Sequence, residues 1–280
     1  MYSANYPVNR IAKKSFLLFM LITCPALQAQ ADLSAVGKDK VKTVFKNVQT
    51  DANTGFLITE TEQDIPDMDS DELTTIPAKT QITEFYGKQI QSDGQKYLVT
   101  LWNAQDSNDD SPGGGAAILA VFSDKGDKPL DFINVKTDIS ASLSERAPLV
   151  VGKNEIFMLN NGHFNAGENY LDSSLFHIHQ GKLQKIDSIF TYSTLGLCES
   201  IAETLNWKAT KAPSSAYPPF TVTVTLERKS QHSKDASCAR KKASSRRIFS
   251  KTYHWDAKKL RYEGNNKEFS QLQKFNEQNL

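Results

Sequence analysis

His177 and His179 stand two residues apart in Leu175-Phe176-His177-Ile178-His179. An extended chain turns both rings to one face, about 7 Å apart. Two imidazoles at that spacing suit a zinc or copper ion, with His163 as a third ligand and Glu168 as the base of a metal-dependent hydrolase. The same alternation also argues the other way. Phe176 and Ile178 occupy the apolar face, so the two histidines are expected to face solvent.

Asn160–Tyr170 is the most unusual segment, with Asn161, His163, Asn165, Glu168 and Tyr170 set among small residues. Amides give directional hydrogen bonds and aromatics give stacking faces, a mixture that can bind sugars or peptides. Asn and Gly also simply form turns, which is the plainer expectation. In the loop 105–115, which follows Trp102, Asp106, Asn108 and Asp110 alternate as at the start of a calcium loop. Ser111 replaces the required glycine, and Ala117 stands where the bidentate glutamate belongs. The glycines at 113–115 make no phosphate loop, since no Lys-Ser/Thr follows.

Nine cations lie between Arg228 and Lys251, among them Arg240, Lys241 and Lys242. Such a patch could meet anionic lipid, lipopolysaccharide or a protein, although a hairpin loop kept soluble by charge gives the same composition. The acidic run from Asp51 to Glu72 reads as a solvated loop. No G-x-S-x-G, S-x-x-K or H-E-x-x-H motif occurs. Carboxylate pairs for glycoside hydrolysis are set by folding and are not legible in sequence.

The start of the chain is an address. Arg10, Lys13 and Lys14 precede the apolar stretch Phe16–Ile22; Pro25 follows, then Ala29 and Ala31. That is the grammar of a secretory signal peptide cleaved after Ala31, with an apolar core too short to anchor. Leu21-Ile22-Thr23-Cys24 resembles a lipobox, which would make a lipoprotein anchored at Cys24, but Thr is a poor residue at that position. Cleavage leaves Cys198 and Cys238, expected to form one disulfide in an oxidising compartment, worth about 3–4 kcal/mol.

The chain of 280 residues carries 33 Lys+Arg against 32 Asp+Glu, a balance unlike that of a nucleic-acid binder. No apolar run reaches the eighteen or so residues that span a bilayer. After an irregular acidic segment, 32–80, the region 81–280 reads as one β-rich domain. Three similar units recur in it, each a strand, a long polar loop, a strand, a tight turn and a strand. Their loops are 105–115, 160–173 and 228–245, and their turns lie near Gly126, Gly181 and Ala257. The expected fold is an all-β antiparallel meander, propeller-like or sandwich, with a short C-terminal helix signalled by Phe269, Leu272 and Phe275. Residues 199–213 suggest a second short helix or an irregular crossover.

The expectation for function is an exported, periplasmic or surface-exposed binding or interaction module. The three long loops would form a composite face for a polar ligand or protein partner, with no cofactor. The alternatives are the hydrolase with zinc at His163, His177 and His179, a weak calcium site at 106–110, and an envelope-assembly factor touching anionic lipid through 228–251.

Overall fold

A computed structural model describes residues 39–51, 57–105, 115–136, 140–165, 168–196, 198–211, 215–230, 244–265 and 267–278. Residues 1–38, where the signal peptide is expected, most of the loop 105–115 and most of the basic loop lie outside the described residues. The chain is mostly β, with antiparallel strand pairs, as the periodicity predicts.

The first sheet has the order β1 (Val48–Thr50), β2 (Leu57–Thr59), β5 (Gln81–Ser92), β6 (Gln95–Gln105), β7 (Ala116–Ser123) and β8 (Asp131–Asn134). A hairpin of β3 (Gln63–Pro66) and β4 (Leu73–Ile76) and a short helix α1 (39–44) cover one of its faces. The segment 32–80, expected to be irregular, therefore contributes four strands.

β7 is buried at every position except Ser123 because both faces of its sheet are covered. Ile118, Ala120 and Phe122 pack with Val41, Val44, Phe45, Ile65 and Ile76 on one side. Leu119 and Val121 pack with Leu159, Phe176 and Ile178 on the other. Trp102 is 0% exposed, edge-on to Phe45 at 6.0 Å and Phe122 at 6.4 Å. Its candidacy as a binding residue is corrected: it is a core side chain on the doubly covered sheet.

The second sheet runs β10 (Leu149–Val151), β11 (Asn154–Asn165), β12 (Glu168–His179), β13 (Lys182–Leu195), β14 (Glu199–Ala209), β15 (Phe220–Ser230), β16 (Ser245–Asp256) and β17 (Arg261–Gly264). β9 (Ser140–Leu143) joins β11 beside β10. The three expected meanders are present as β6–β7–β8, β11–β12–β13 and β15–β16–β17. The second and third are not separate blades, however; β14 links them within one continuous sheet.

Residues 160–173 form no long loop: β11 and β12 pair continuously from Phe157↔Phe176 to Asn165↔Glu168. Residues 199–209, proposed as helix or crossover, are strand β14, in which buried Ile201 and Leu205 alternate with exposed residues.

β13 and β14 pair only over Ser193↔Ala202, Thr194↔Ile201 and Leu195↔Ser200. Beyond that point they diverge, and the sheet folds over on itself. Ile156, Met158, Leu175 and Ile189 of one half pack against Val222, Val224, Phe249 and Tyr253 of the other. The C-terminal helix α2 (Lys267–Glu277) inserts Leu272 into this second core, with Phe269 and Phe275 against it. The result is three stacked layers, with β9–β13 in the middle and covered on both faces.

Candidate functional site

The middle layer explains the histidines. Phe176 and Ile178 face the first sheet, while His177 and His179 face the third layer. His177 is 0% exposed and His179 nearly buried, which overturns the expectation that both are solvated. Tyr217, Trp255 and Tyr262 pack edge-on around His177 at 5.7–5.9 Å, and Tyr217 stacks on Trp255 at 4.0 Å.

Two tight turns lock this cluster. Asp93-Gly94 and Gln180-Gly181 both have positive φ at the two central positions, the geometry of two-residue hairpins. Asp93 accepts from the Gln180 N–H (2.8 Å) and the Tyr217 hydroxyl (2.6 Å), and it lies 3.2 Å from His179 Nδ1. Burial alone would raise the Asp93 pKa, but these partners outweigh it and hold the carboxyl below its ordinary range. Asn154 Oδ1 accepts the Asp93 N–H (2.8 Å) and lies 3.1 Å from Ser92 Oγ, and Asn154 Nδ2 donates to Ala216 O (2.9 Å), tying β11 to the 93–94 turn and to the segment that carries Tyr217.

Ser92 Oγ is 3.1 Å from His177 Nε2, a nucleophile-and-base spacing. Yet Ser92 is 0% exposed and donates to Ile178 O at 2.5 Å, so an outside substrate does not reach it. The cluster is an interlock between layers.

His163 cannot join it. His163 pairs with Tyr170, seven residues along β12 from His177, a separation of about 23 Å. Among the described residues no three His, Cys, Asp or Glu side chains gather as a metal site. The zinc trio is therefore corrected: strand register keeps its members apart.

The candidate site lies elsewhere, in a groove of about 580 Å³ where β13 leaves β14. Asn161, Tyr170 and Asp172 line it from β11 and β12, Asp187 to Phe190 from β13, Lys251 from β16, and Phe269, Leu272 and Asn276 from α2. Four consecutive β13 residues line it although they alternate between the two faces of their sheet. A groove sees consecutive residues only when it views the strand edge-on.

Asp172 is opposite Asn161 on β11 and Phe190 on β13. Burial raises its pKa, against the nearby Lys185 ammonium, and its Oδ1 is buried without a hydrogen bond. Asp187 takes Lys251 Nζ at 2.6 Å and the Tyr253 hydroxyl on Oδ2, and the Ser188 N–H at 3.0 Å on Oδ1. Tyr170 lies 6.0 Å from Phe190 and 5.3 Å from Tyr192. Its hydroxyl donates to Glu168, which pushes its pKa up to about 12.

The wall formed by α2 is pinned by one polar contact. Asn276, 1% exposed, donates to Glu203 Oε2 at 3.1 Å, and the same oxygen accepts the Tyr192 N–H at 2.9 Å. Asn276 Oδ1 and Glu203 Oε1 are buried without partners. Burial raises the Glu203 pKa to about 7 despite these two donors.

Of the candidate residues, Asn161, Glu168 and Tyr170 thus lie at or beside the groove. His163 and Asn165 are on β11, but their side chains lie outside the described residues, as do Asp106, Asn108, Asp110, Arg240, Lys241, Lys242, Cys24 and Cys238. Meander alternation places the strand ends Asn165 and Glu168, Leu195 and Glu199, and Ser230 and Ser245 at one end of the sheet. The turns at 180–181 and 257–260 lie at the other.

The reading from sequence missed Asp172, Asp187, Ser188, Phe190, Glu203 and Asn276; Lys251, counted there in the basic patch, is instead 5% exposed and paired with Asp187. One signal was legible: Asn276 interrupts the apolar stripe of Phe269 and Leu272 at helical spacing. No protein-family model, curated protein or solved structure matches the chain.

Proposed function

We propose that the protein is an exported, non-enzymatic binding module whose ligand site is the groove between β13 and α2. The observation that carries this reading is an open groove joining aromatic surface to buried acceptors. Phe190, 36% exposed, and Tyr170 supply the first; Asp172 and Asn276, each with an unpartnered oxygen, supply the second. Asp172, Asp187 and Glu277 set three carboxylates against the single ammonium of Lys251 in the lining. Acceptors and negative charge beside rings favour a ligand with a cationic donor next to an apolar part. The secretory grammar of residues 10–31 supports an address in the periplasm or outside the cell. The Cys198–Cys238 bridge belongs to the same reading, and mass spectrometry before and after reduction tests it.

The probe is phenethylammonium, which carries both chemistries. Titrated into the purified protein, it should shift the amide resonances of 187–190 and of α2 with millimolar affinity. Asp172→Asn should weaken binding about tenfold, and Phe190→Ala by a similar factor. Affinity should fall on acidification, because protonating Asp172 removes the charge that meets the cation. Shifts confined to other surfaces, or none, would remove the groove as the ligand site.

A further inference from the structure

The β13–β14 ladder opens at one residue. The next pair after Ser193↔Ala202 would be Tyr192 with Glu203, and there the Glu203 carboxylate, in place of the backbone carbonyl, accepts the Tyr192 N–H. Backbone groups alternate in direction along a strand, so Phe190 and Ser188 turn their N–H and C=O the same way as Tyr192, away from β12. The Ser188 N–H is met by the carboxylate of its own neighbour Asp187. Among the described residues no strand pairs with β13 on this side between Lys182 and Tyr192. Carboxylates stand here where a neighbouring strand would place its carbonyls, and the groove runs along that edge.

We propose that the groove accepts an extended polypeptide strand bearing lysine or arginine, which adds to the edge of β13 at Ser188 and Phe190. This rests on the groove being the ligand site and names the class of its ligand. Backbone pairing would give affinity and side-chain pockets would give selectivity. An added strand would lie about 4.8 Å from β13, in the groove lined by Ser188 and Phe190. Its side chains alternate between the two faces of β13. On one face Asp172 lies beside Phe190 and Tyr170; on the other Asp187 is already taken by Lys251 and Tyr253, which leaves Ile189 and Leu272 as an apolar lining. A strand of alternating apolar and basic residues matches that pattern. The net negative lining selects basic residues over acidic ones.

The test uses fluorescence anisotropy of a short alternating valine–lysine peptide against the full purified protein. Two further peptides serve as controls: one N-methylated at alternate residues, and one with glutamate for lysine. Micromolar binding of the first is expected, at least tenfold weaker binding of each control, and amide shifts at Ser188 and Phe190. Equal binding of the N-methylated peptide would overturn strand addition. So would binding of phenethylammonium without any binding of the peptide, an outcome that leaves the groove itself standing. Failure of both probes would remove the groove and the strand together. Concentration-dependent dimers that protect the 188–190 amides, with no response to peptide, would assign the edge to a second copy of the chain and overturn the proposal.

Discussion

Lowering the pH through the window between 6.5 and about 4 is expected to remove about 3 kcal/mol of stability through one residue, His177. Burial is the main cause of its depressed pKa. The Asp93 charge and Gln184, directly opposite on β13, pull it back only in part, and His179 lowers it further. The sign follows from proton counting. In the fold the ring stays neutral down to about 4, whereas in the unfolded chain it takes a proton at its ordinary value, so acid favours unfolding across that window. The stability is fully present above the upper limit and is lost as the pH falls. Asp93 does not confuse the measurement, because its carboxyl is held below its ordinary range and titrates beneath the window. Urea unfolding at several pH values, compared with His177→Gln, measures the effect. The variant should show a markedly shallower loss between pH 6.5 and 4, whatever its stability at neutral pH. Equal slopes in the two proteins would show that His177 is not buried neutral.

Glu203→Gln is expected to stabilise the protein at pH 8 by about 1–2 kcal/mol and to leave it unchanged near pH 4. Its folded pKa is raised from 4.5 to about 7, so between those values the folded chain holds a proton that the unfolded chain has released. Stability therefore falls as the pH rises through this window, the reverse of the His177 case. The side chain is only partly buried, which reduces the full conversion of the shift to the range given. Glutamine keeps one carbonyl oxygen for the Tyr192 N–H and Asn276 Nδ2 and places an amide where the unpartnered carboxylate oxygen stands. Thermal unfolding at both pH values measures the difference. A variant less stable than the parent at pH 8 would mean that the charge itself holds α2 in place. Because Glu203 joins α2 to the point where the ladder opens, the same comparison reports how firmly the groove's outer wall is fixed.

These two residues share a structural origin that the sequence does not display. Strand alternation around His177 was legible, and it placed Phe176 and Ile178 on a common apolar face. The inference that the histidines meet water assumed that the other face of the strand is wet. It fails because the sheet folds over between β13 and β14 and brings Tyr217, Trp255 and Tyr262 across it. Glu203 lies within 199–213, the stretch expected to be a short helix or crossover. Its role depends on Tyr192 and Asn276, which are distant in the chain and meet it only after folding.

By itself the sequence determined what depends on near neighbours along the chain. It specified the strand periodicity after Gln81, the tight turn at Gln180-Gly181 and the amphipathic stripe of the C-terminal helix. It misjudged Asn160–Asp172 as loop because asparagine and glycine favour turns locally, whereas continuous pairing between β11 and β12 overrides that preference. Tertiary structure alone decided how many layers form, which faces they cover and where one ladder comes apart. The groove is a product of those decisions. Its carboxylates, rings and strand edge come from β11, β12, β13, β16 and α2, and only burial of the two cores brings them together.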